Sequence, residues 1–197
     1  MAHQYEPREQ RVRQIAQAAL ELIAEDGLRR FTTKAIAEKV GITDGTIFRH
    51  FKNKEEIVIA AMDLLEDAMF AEPFPDDENA LDRLEKFFRK RAFLLGGQGS
   101  MGRLMFSEQL PQAAGAAGTE KLRSWRARNM AFVGECLNEL EASPGLPSGL
   151  AIRDCEAVIQ GSLLTFAFER TLGDNPESEL EQRIERAWQT IRRLLFG

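Results

Sequence analysis

The residues best suited to chemistry lie in one stretch, Thr32 to Glu56, with the sequence TTKAIAEKVGITDGTIFRHFKNKEE. Asp44, Gly45, Thr46, Phe48, Arg49 and His50 fall within it. They are polar, small or aromatic side chains at outward positions, which suits contact with a nucleic-acid groove rather than a core. Lys54 stands where a side chain and the free N–H groups of a helix start can grip a phosphate together. Arg8, Arg11 and Arg13, further upstream, are positioned to approach phosphates, or to lie solvated on the surface. No Ser/His/Asp, Cys/His or metal-ligand set is visible. Gly96-Gly97-Gln98-Gly99 lacks the Lys-Ser/Thr that a phosphate-cradling loop requires. His3 and His50 are far apart in sequence. The expectation is a binding protein, not an enzyme, with neither metal nor cofactor.

Two short apolar-periodic segments must position these groups. Ile36 and Val40 are four apart with Ala37 beside them, and Ile47 and Phe51 repeat that spacing. Each segment therefore has one buried face at helical period. Thr33 and Thr43 stand where N-caps belong, and Gly41 between the segments permits a turn through positive φ. The pattern predicts helix, three-residue turn, helix. On pattern alone, a surface helix pair in some other all-α protein remains open. Upstream, Val12, Ile15, Ala16, Ala19, Leu20 and Ile23 make one stripe on a helix from about Glu6 to Asp26, ended by Gly27. It is expected to complete a core with Phe31, Ile36, Val40, Ile42, Ile47 and Phe51. Asn53-Lys54-Glu55-Glu56 reads as a capping box opening a fourth helix that reaches about Phe70.

Beyond the linker-like EPFPDDEN at Glu72–Asn79, the chain reads as further helices. They are a fifth on Leu81–Leu95, a short sixth on Met101–Gln109, and a seventh from Glu120 to Ala142. An Ala/Gly-rich loop or weak helix is expected at Pro111–Gly118, and a turn at Ser143–Gly149. An eighth helix follows from about Leu150 to Leu172, and a ninth opens at Asn175-Pro176. With no strand-like alternation, the fold class is all-α, about nine helices. The domain division is 1–53, with the helix-turn-helix, and 54–197, the remaining helices; the family resemblance given below implies DNA binding for the first and effector binding and dimerisation for the second.

The 197 residues are 44% hydrophobic and 29% charged, which suits a globular protein with a core. No apolar run approaches the ~20 residues of a membrane span. With a polar N-terminus besides, the expected location is cytoplasmic and no membrane partner is expected. Cys136 and Cys155 lie in apolar-periodic helices and read as small buried hydrophobes, with a redox-sensing pair as the alternative. The net charge of −5 hides an asymmetry. Residues 1–54 hold ten Lys/Arg against seven Asp/Glu, and residues 55–197 hold sixteen against twenty-four. The positive excess sits with the helix-turn-helix, as attraction to phosphates requires.

Ile15 to Glu56 resembles the DNA-binding domain of TetR-type transcriptional regulators. The resemblance rests on Ala18-Ala19-Leu20-Glu21-Leu22, Gly27, Thr33, Ile36-Ala37, Gly41-Ile42-Thr43, Gly45-Thr46-Ile47-Phe48, His50-Phe51 and Lys54-Glu55-Glu56. It implies a homodimer whose two reading heads enter successive major grooves of a palindromic double-stranded operator. Carried onto matching positions, Thr33, Thr43, Phe48, His50 and Lys54 mostly hold phosphates. Asp44, Gly45, Thr46 and Arg49 face bases, and Arg49 is the candidate for a bidentate guanine contact. Phe48 stands where a tyrosine is common, and Asp44 where a neutral or basic residue often occurs; both put a standard contact list in doubt.

The same resemblance implies a small-molecule effector among the later helices, lined by Phe87, Phe88, Arg91, Met101, Met105, Trp125, Phe132 and Phe166. Gln109 and Gln160 are polar candidates beside them. Each of these is equally readable as packed core. The apolar lining points to a hydrophobic or amphipathic effector. The last two helices are the expected dimer interface, through Ile159, Ser162, Leu163, Ile184, Trp188 and Ile191. The leading function is a ligand-responsive repressor, and the alternative is a DNA-bound adaptor that recruits a protein without a small-molecule inducer.

Overall fold

The computed structural model describes residues 7–97, 102, 104–142, 150–168 and 176–197. Among them the secondary structure is helical throughout. In chain order the helices are α1 Arg8–Asp26, α2 Thr33–Val40, α3 Asp44–Ile47, α4 Lys54–Phe70, α5 Ala80–Gly97, α6 Gln109–Ala142, α7 Ile152–Phe168 and α8 Pro176–Leu195. The chain divides into two compact units, Met1–Ala71 with Ser107–Arg123, and Glu72–Phe106 with Ser124–Gly197.

The first unit is built on α1, whose Ile15, Ala16, Ala19, Leu20 and Ile23 are buried. The expected stripe holds, with Ala18 and Leu22 added and Val12 only half-buried. Phe31, Ile36, Ala37, Ile47 and Phe51 close the core over it. Val40 and Ile42 are half-buried, fewer core members than the pattern implied. Each isoleucine fully removed from water there contributes about 1.5–3 kcal/mol. On α4 the buried face is Ile57, Val58, Ala61, Met62, Leu65 and Met69. Helical period in the sequence puts Ile57, Ala60, Ala61, Leu64, Leu65 and Ala68 on one face, but Ala60 and Leu64 are only half-buried and Ala68 is exposed, so the buried face is rotated from that pattern.

The segment Ser107–Arg123 packs in this unit as well. A Cβ on Gly118 would stand 2.4 Å from the Ala114 Cβ of the same segment, so the local path of this helix requires glycine there, and 3.3 Å from the Met62 sulfur of α4. Lys121 bridges Asp63 at 2.8 Å and also pairs with Glu66. Of the two forms expected at Pro111–Gly118, loop or weak helix, the structure has the helical one, interrupted at Gly115 (φ 62°, ψ −148°). Buried Leu110 and Ala114 explain the outcome: tertiary packing outweighs the weak helix propensity of its glycines. Of the short helix expected on Met101–Gln109, Gly102 and Leu104 are helical and Met105–Phe106 form a turn; Met101 lies outside the described residues.

The second unit has its core where α5 meets α7 and α8. Asn79 caps α5, its Oδ1 accepting from Leu81 N at 2.8 Å. Leu84, Phe88, Ala92, Cys136, Leu137, Cys155, Ile159, Ile184, Trp188 and Ile191 are all fully or nearly fully buried in one apolar cluster. Both cysteines are free, and burial pushes both thiols up. Phe88 packs on Trp188 with ring centroids 5.7 Å apart and on Phe166 edge-on at 6.1 Å. The expected turn at Ser143–Gly149 and the Asn175 cap lie outside the described residues, as does the extension of α7 past Phe168.

Candidate nucleic-acid interface

The first unit shapes its reading head through local backbone chemistry. Thr32, not Thr33, caps α2: its Oγ1 accepts from Ala35 N at 3.1 Å, and Thr33 is the first helical residue. Two adjacent threonines compete for one cap, and the extended one wins (Thr32 φ −127°, ψ 150°). Helix α2 ends at Gly41, which is left-handed at φ 75°, ψ 33°. Gly41 N donates to Glu38 O at 3.3 Å, and Ile42 N donates to Ala37 O at 2.9 Å. This pair of bonds is the Schellman arrangement, and it satisfies two orphan carbonyls while turning the chain.

Thr43 is the N-cap of α3, but its side chain makes no cap bond. Its hydroxyl pairs instead with the Thr46 hydroxyl at 2.8 Å. Regular α-helix covers only Asp44–Ile47, shorter than the spacing suggested. The chain then tightens, with Arg49 N donating to Thr46 O at 3.2 Å and His50 N to Ile47 O at 2.9 Å. These three-residue bonds leave Phe48 and Arg49 outside the regular helix but pointing to solvent. The second capping motif is also modified. Asn53 Oδ1 accepts from Glu56 N at 2.9 Å as expected, while Glu56 reaches back to Lys52 N at 2.8 Å rather than to Asn53.

Ile47 alone of α3 is buried. Thr43, Asp44, Gly45, Phe48 and Arg49 are exposed, and Thr46 and His50 are half-buried. Phe48, at 53% exposure, is a large apolar ring left in water. Thr33 is half-buried at the start of α2. Lys54 is exposed at the start of α4, its Nζ donating to Phe31 O at 3.4 Å and lying 5.9 Å from the Phe31 ring. His50 is the electrostatic centre of the head. Its Nδ1 is walled off from solvent without a hydrogen-bond partner. Burial first, then the charges of Arg8, Arg11 and Arg49, holds its pKa below the ordinary histidine value. Two arginines of α1 thus converge with Arg49 on one site, a juxtaposition that sequence shows only as basic residues far apart along the chain. Lys39, by contrast, is engaged by Glu21 at 3.0 Å and Glu25 at 3.6 Å.

In the second unit, Phe87, Phe88, Phe132 and Phe166 are buried in the apolar cluster, and Met105 packs partly against it. Trp125 is buried. Arg91 is 7% exposed, the one charged side chain among the described residues in the buried class. Phe74, from the stretch read as linker, stacks on Phe132 at 4.7 Å and stands 6.1 Å from Phe87. Phe74, Arg128 and Asn129 surround Arg91 and were not among the candidates, because polar linker composition masked the first and solvated helix faces the others. Gln160 is exposed on α7 and pairs with Met130, and Gln109 is half-buried in the first unit with its Oε1 enclosed and unpartnered. Among the expected dimer residues, Ile159, Leu163, Ile184, Trp188 and Ile191 lie in the chain's own core and Ser162 is half-buried.

Residues 15–61 match the family model for bacterial regulatory proteins of the tetR family. The fatty acid metabolism regulator protein of Bacillus subtilis (strain 168) is 49% identical over 47 residues, a match spanning 24% of this chain and 24% of that protein. The fold extends further than this short stretch. The ketosteroid transcriptional regulator KstR2 of Mycobacterium tuberculosis superposes with a TM-score of 0.79 at 18% identity, covering 100% of this chain and 98% of that one. AibR in complex with isovaleryl coenzyme A and operator DNA gives a TM-score of 0.72 at 19% identity, covering 94% and 98%. The stretch 15–61 thus matches the tetR family of bacterial regulatory proteins, and the helices of the longer chain follow the fold of these solved regulators.

Proposed function

We propose that this protein is a transcriptional repressor that binds a palindromic operator as a homodimer and is released by a small hydrophobic or amphipathic effector. The observation that carries the reading is the exposed surface of α3 and the turn after it, Asp44 to Arg49, set beside the converging Arg8, Arg11 and Arg49. Hydroxyl and guanidinium donors there suit base edges, and the surrounding cations suit phosphates. AibR, which shares the fold, was solved with operator DNA and an acyl-coenzyme A.

An exposed face of α7 supports the dimer. Val158, Leu164 and Phe168 are 39%, 38% and 53% exposed, and Leu194 of α8 is 66% exposed. Gly161 lies in the same sector of α7 with open space where a Cβ would be, so a partner helix can approach closely. The residues Ile159 and Leu163 serve the opposite face of that helix. The dimer contact therefore falls to Val158, Gly161, Leu164 and Phe168 rather than to the core-facing set.

Selection of bound fragments from random DNA, followed by sedimentation of the complex, tests the reading. A palindromic consensus with two chains per fragment is expected. A monomer bound without sequence preference would overturn it.

A further inference from the structure

The first unit carries an open groove of about 730 Å³ between α1 and α4. Its floor is apolar, made by Val12 and Ala16 of α1 with Ala60 and Leu64 of α4. Of these four only Ala16 is buried. Ala60 and Leu64 are the part of the apolar stripe on α4 that the chain's own packing leaves over. Small side chains in such a floor let another surface approach closely.

The two walls differ in charge. Arg8 and Arg13 stand on the α1 side and Asp63 and Asp67 on the α4 side, with Glu9 the exception on α1. Lys121 engages Asp63, and Arg8 is shared with the basic cluster around His50. Arg13 and Asp67 are exposed and form no ion pair among the described residues. A foreign surface of one sign suits only one of these walls. A second copy turned about a two-fold axis along the groove suits both, because its α1 meets the first copy's α4 and each basic wall faces an acidic one.

Resting on the operator-binding reading above, we propose that this groove is a side-to-side contact between neighbouring dimers on DNA, with Arg13 of each copy set against Asp67 of the other. The apolar floor is too small to hold free proteins together firmly, and exposed ion pairs add little on their own. Dimers held on adjacent sites are at high effective concentration, so a weak contact becomes cooperative binding there.

The test places two copies of the selected operator on one duplex at a series of spacings and reads their occupancy by gel shift with the full-length protein. Where both dimers lie on one face of the duplex, the second is expected to bind about five-fold or more tightly than the first. Moving one site by about five base pairs, half a helical turn, should remove the gain. Asp67→Lys is expected to abolish the cooperativity, and Asp67→Lys combined with Arg13→Glu in one chain to restore it. Affinity for a single operator, measured for each variant, is the reference. Independent binding at every spacing, cooperativity that Asp67→Lys leaves intact, or a double variant that does not regain it would each overturn the contact and leave the operator reading standing. Should no duplex be bound specifically, the operator reading falls, and the contact is read without DNA by light scattering of the concentrated protein at low salt. There Asp67→Lys is expected to weaken attraction between molecules although it lowers the net negative charge, and the double variant to regain it. Attraction unchanged or increased in Asp67→Lys would overturn the contact.

Discussion

Gly41 offers the sharpest test of how the reading head is held. At φ 75° and ψ 33° it occupies the left-handed region, and no atom lies within 4 Å of where a Cβ would stand. Gly41→Ala therefore meets no neighbour, and its whole cost is backbone strain, about 1–2 kcal/mol. The hydrogen bonds from Gly41 N and Ile42 N survive, because they require the conformation rather than the glycine. Gly41→Asn is expected to cost less, since asparagine enters this region more readily, and Gly41→Val to cost more because branching at Cβ crowds it further. Amide hydrogen exchange reads the effect directly. Exchange of the buried α1 and α2 amides is expected to accelerate about 5- to 30-fold in the alanine variant, the factor that 1–2 kcal/mol represents. DNA affinity should stay within about two-fold, because the folded head keeps its shape. An alanine variant as protected as the parent would refute the strain argument. A large loss of affinity without loss of protection would show that the turn angle had shifted instead.

Three further outcomes follow from the geometry. Arg49→Ala is expected to lose about 1–3 kcal/mol of discrimination at one base position, read from binding to a panel of singly substituted operators; uniform weakening on all sequences would make Arg49 a phosphate contact. For His50 the folded pKa is depressed, so the unfolded chain binds more protons below pH 6.5 and stability falls as pH drops through that window. His50→Gln should flatten that slope in urea unfolding between pH 7 and 5, and an unchanged slope would place the titration elsewhere. Phe168→Glu buries a charge in the proposed dimer face, and equilibrium sedimentation should show dissociation at micromolar concentration; an unaltered dimer would move the interface away from α7.

The head was legible because each of its elements has a local cause. Ile36, Gly41, Ile47 and Asn53 act within a few residues of their own positions, through helical period, positive φ and capping. Where two local causes competed, sequence was less decisive. Thr32 and Thr33 are both competent caps, and only the backbone angles separate them. Sequence also missed effects carried by distant partners. Which of its two expected forms, loop or weak helix, Pro111–Gly118 takes goes with the burial of Leu110 and Ala114, and no periodicity within that Ala/Gly-rich segment announces it. The two faces of α7 were interchangeable in the pattern, because Ile159 and Val158 are equally apolar. Only the packing of α5 and α8 shows that Ile159 is spent on the chain's own core. Arg91 and Phe87 stood among the expected effector-lining residues; that Phe74 and Asn129 meet Arg91 beside them shows only in three dimensions.

The brevity of α3 bears on how such a protein acquires its targets. Four residues of α-helix rise about 6 Å, less than two base-pair steps of 3.4 Å each. So small a rigid probe samples few letters of text, and no single copy can pick one address from a chromosome. In the proposed dimer, selectivity accumulates by repetition and by how readily the duplex bends to meet both copies. It also means that exchanging one exposed side chain, with Ile47 still anchoring the turn from below, is a short evolutionary path from one set of genes to another.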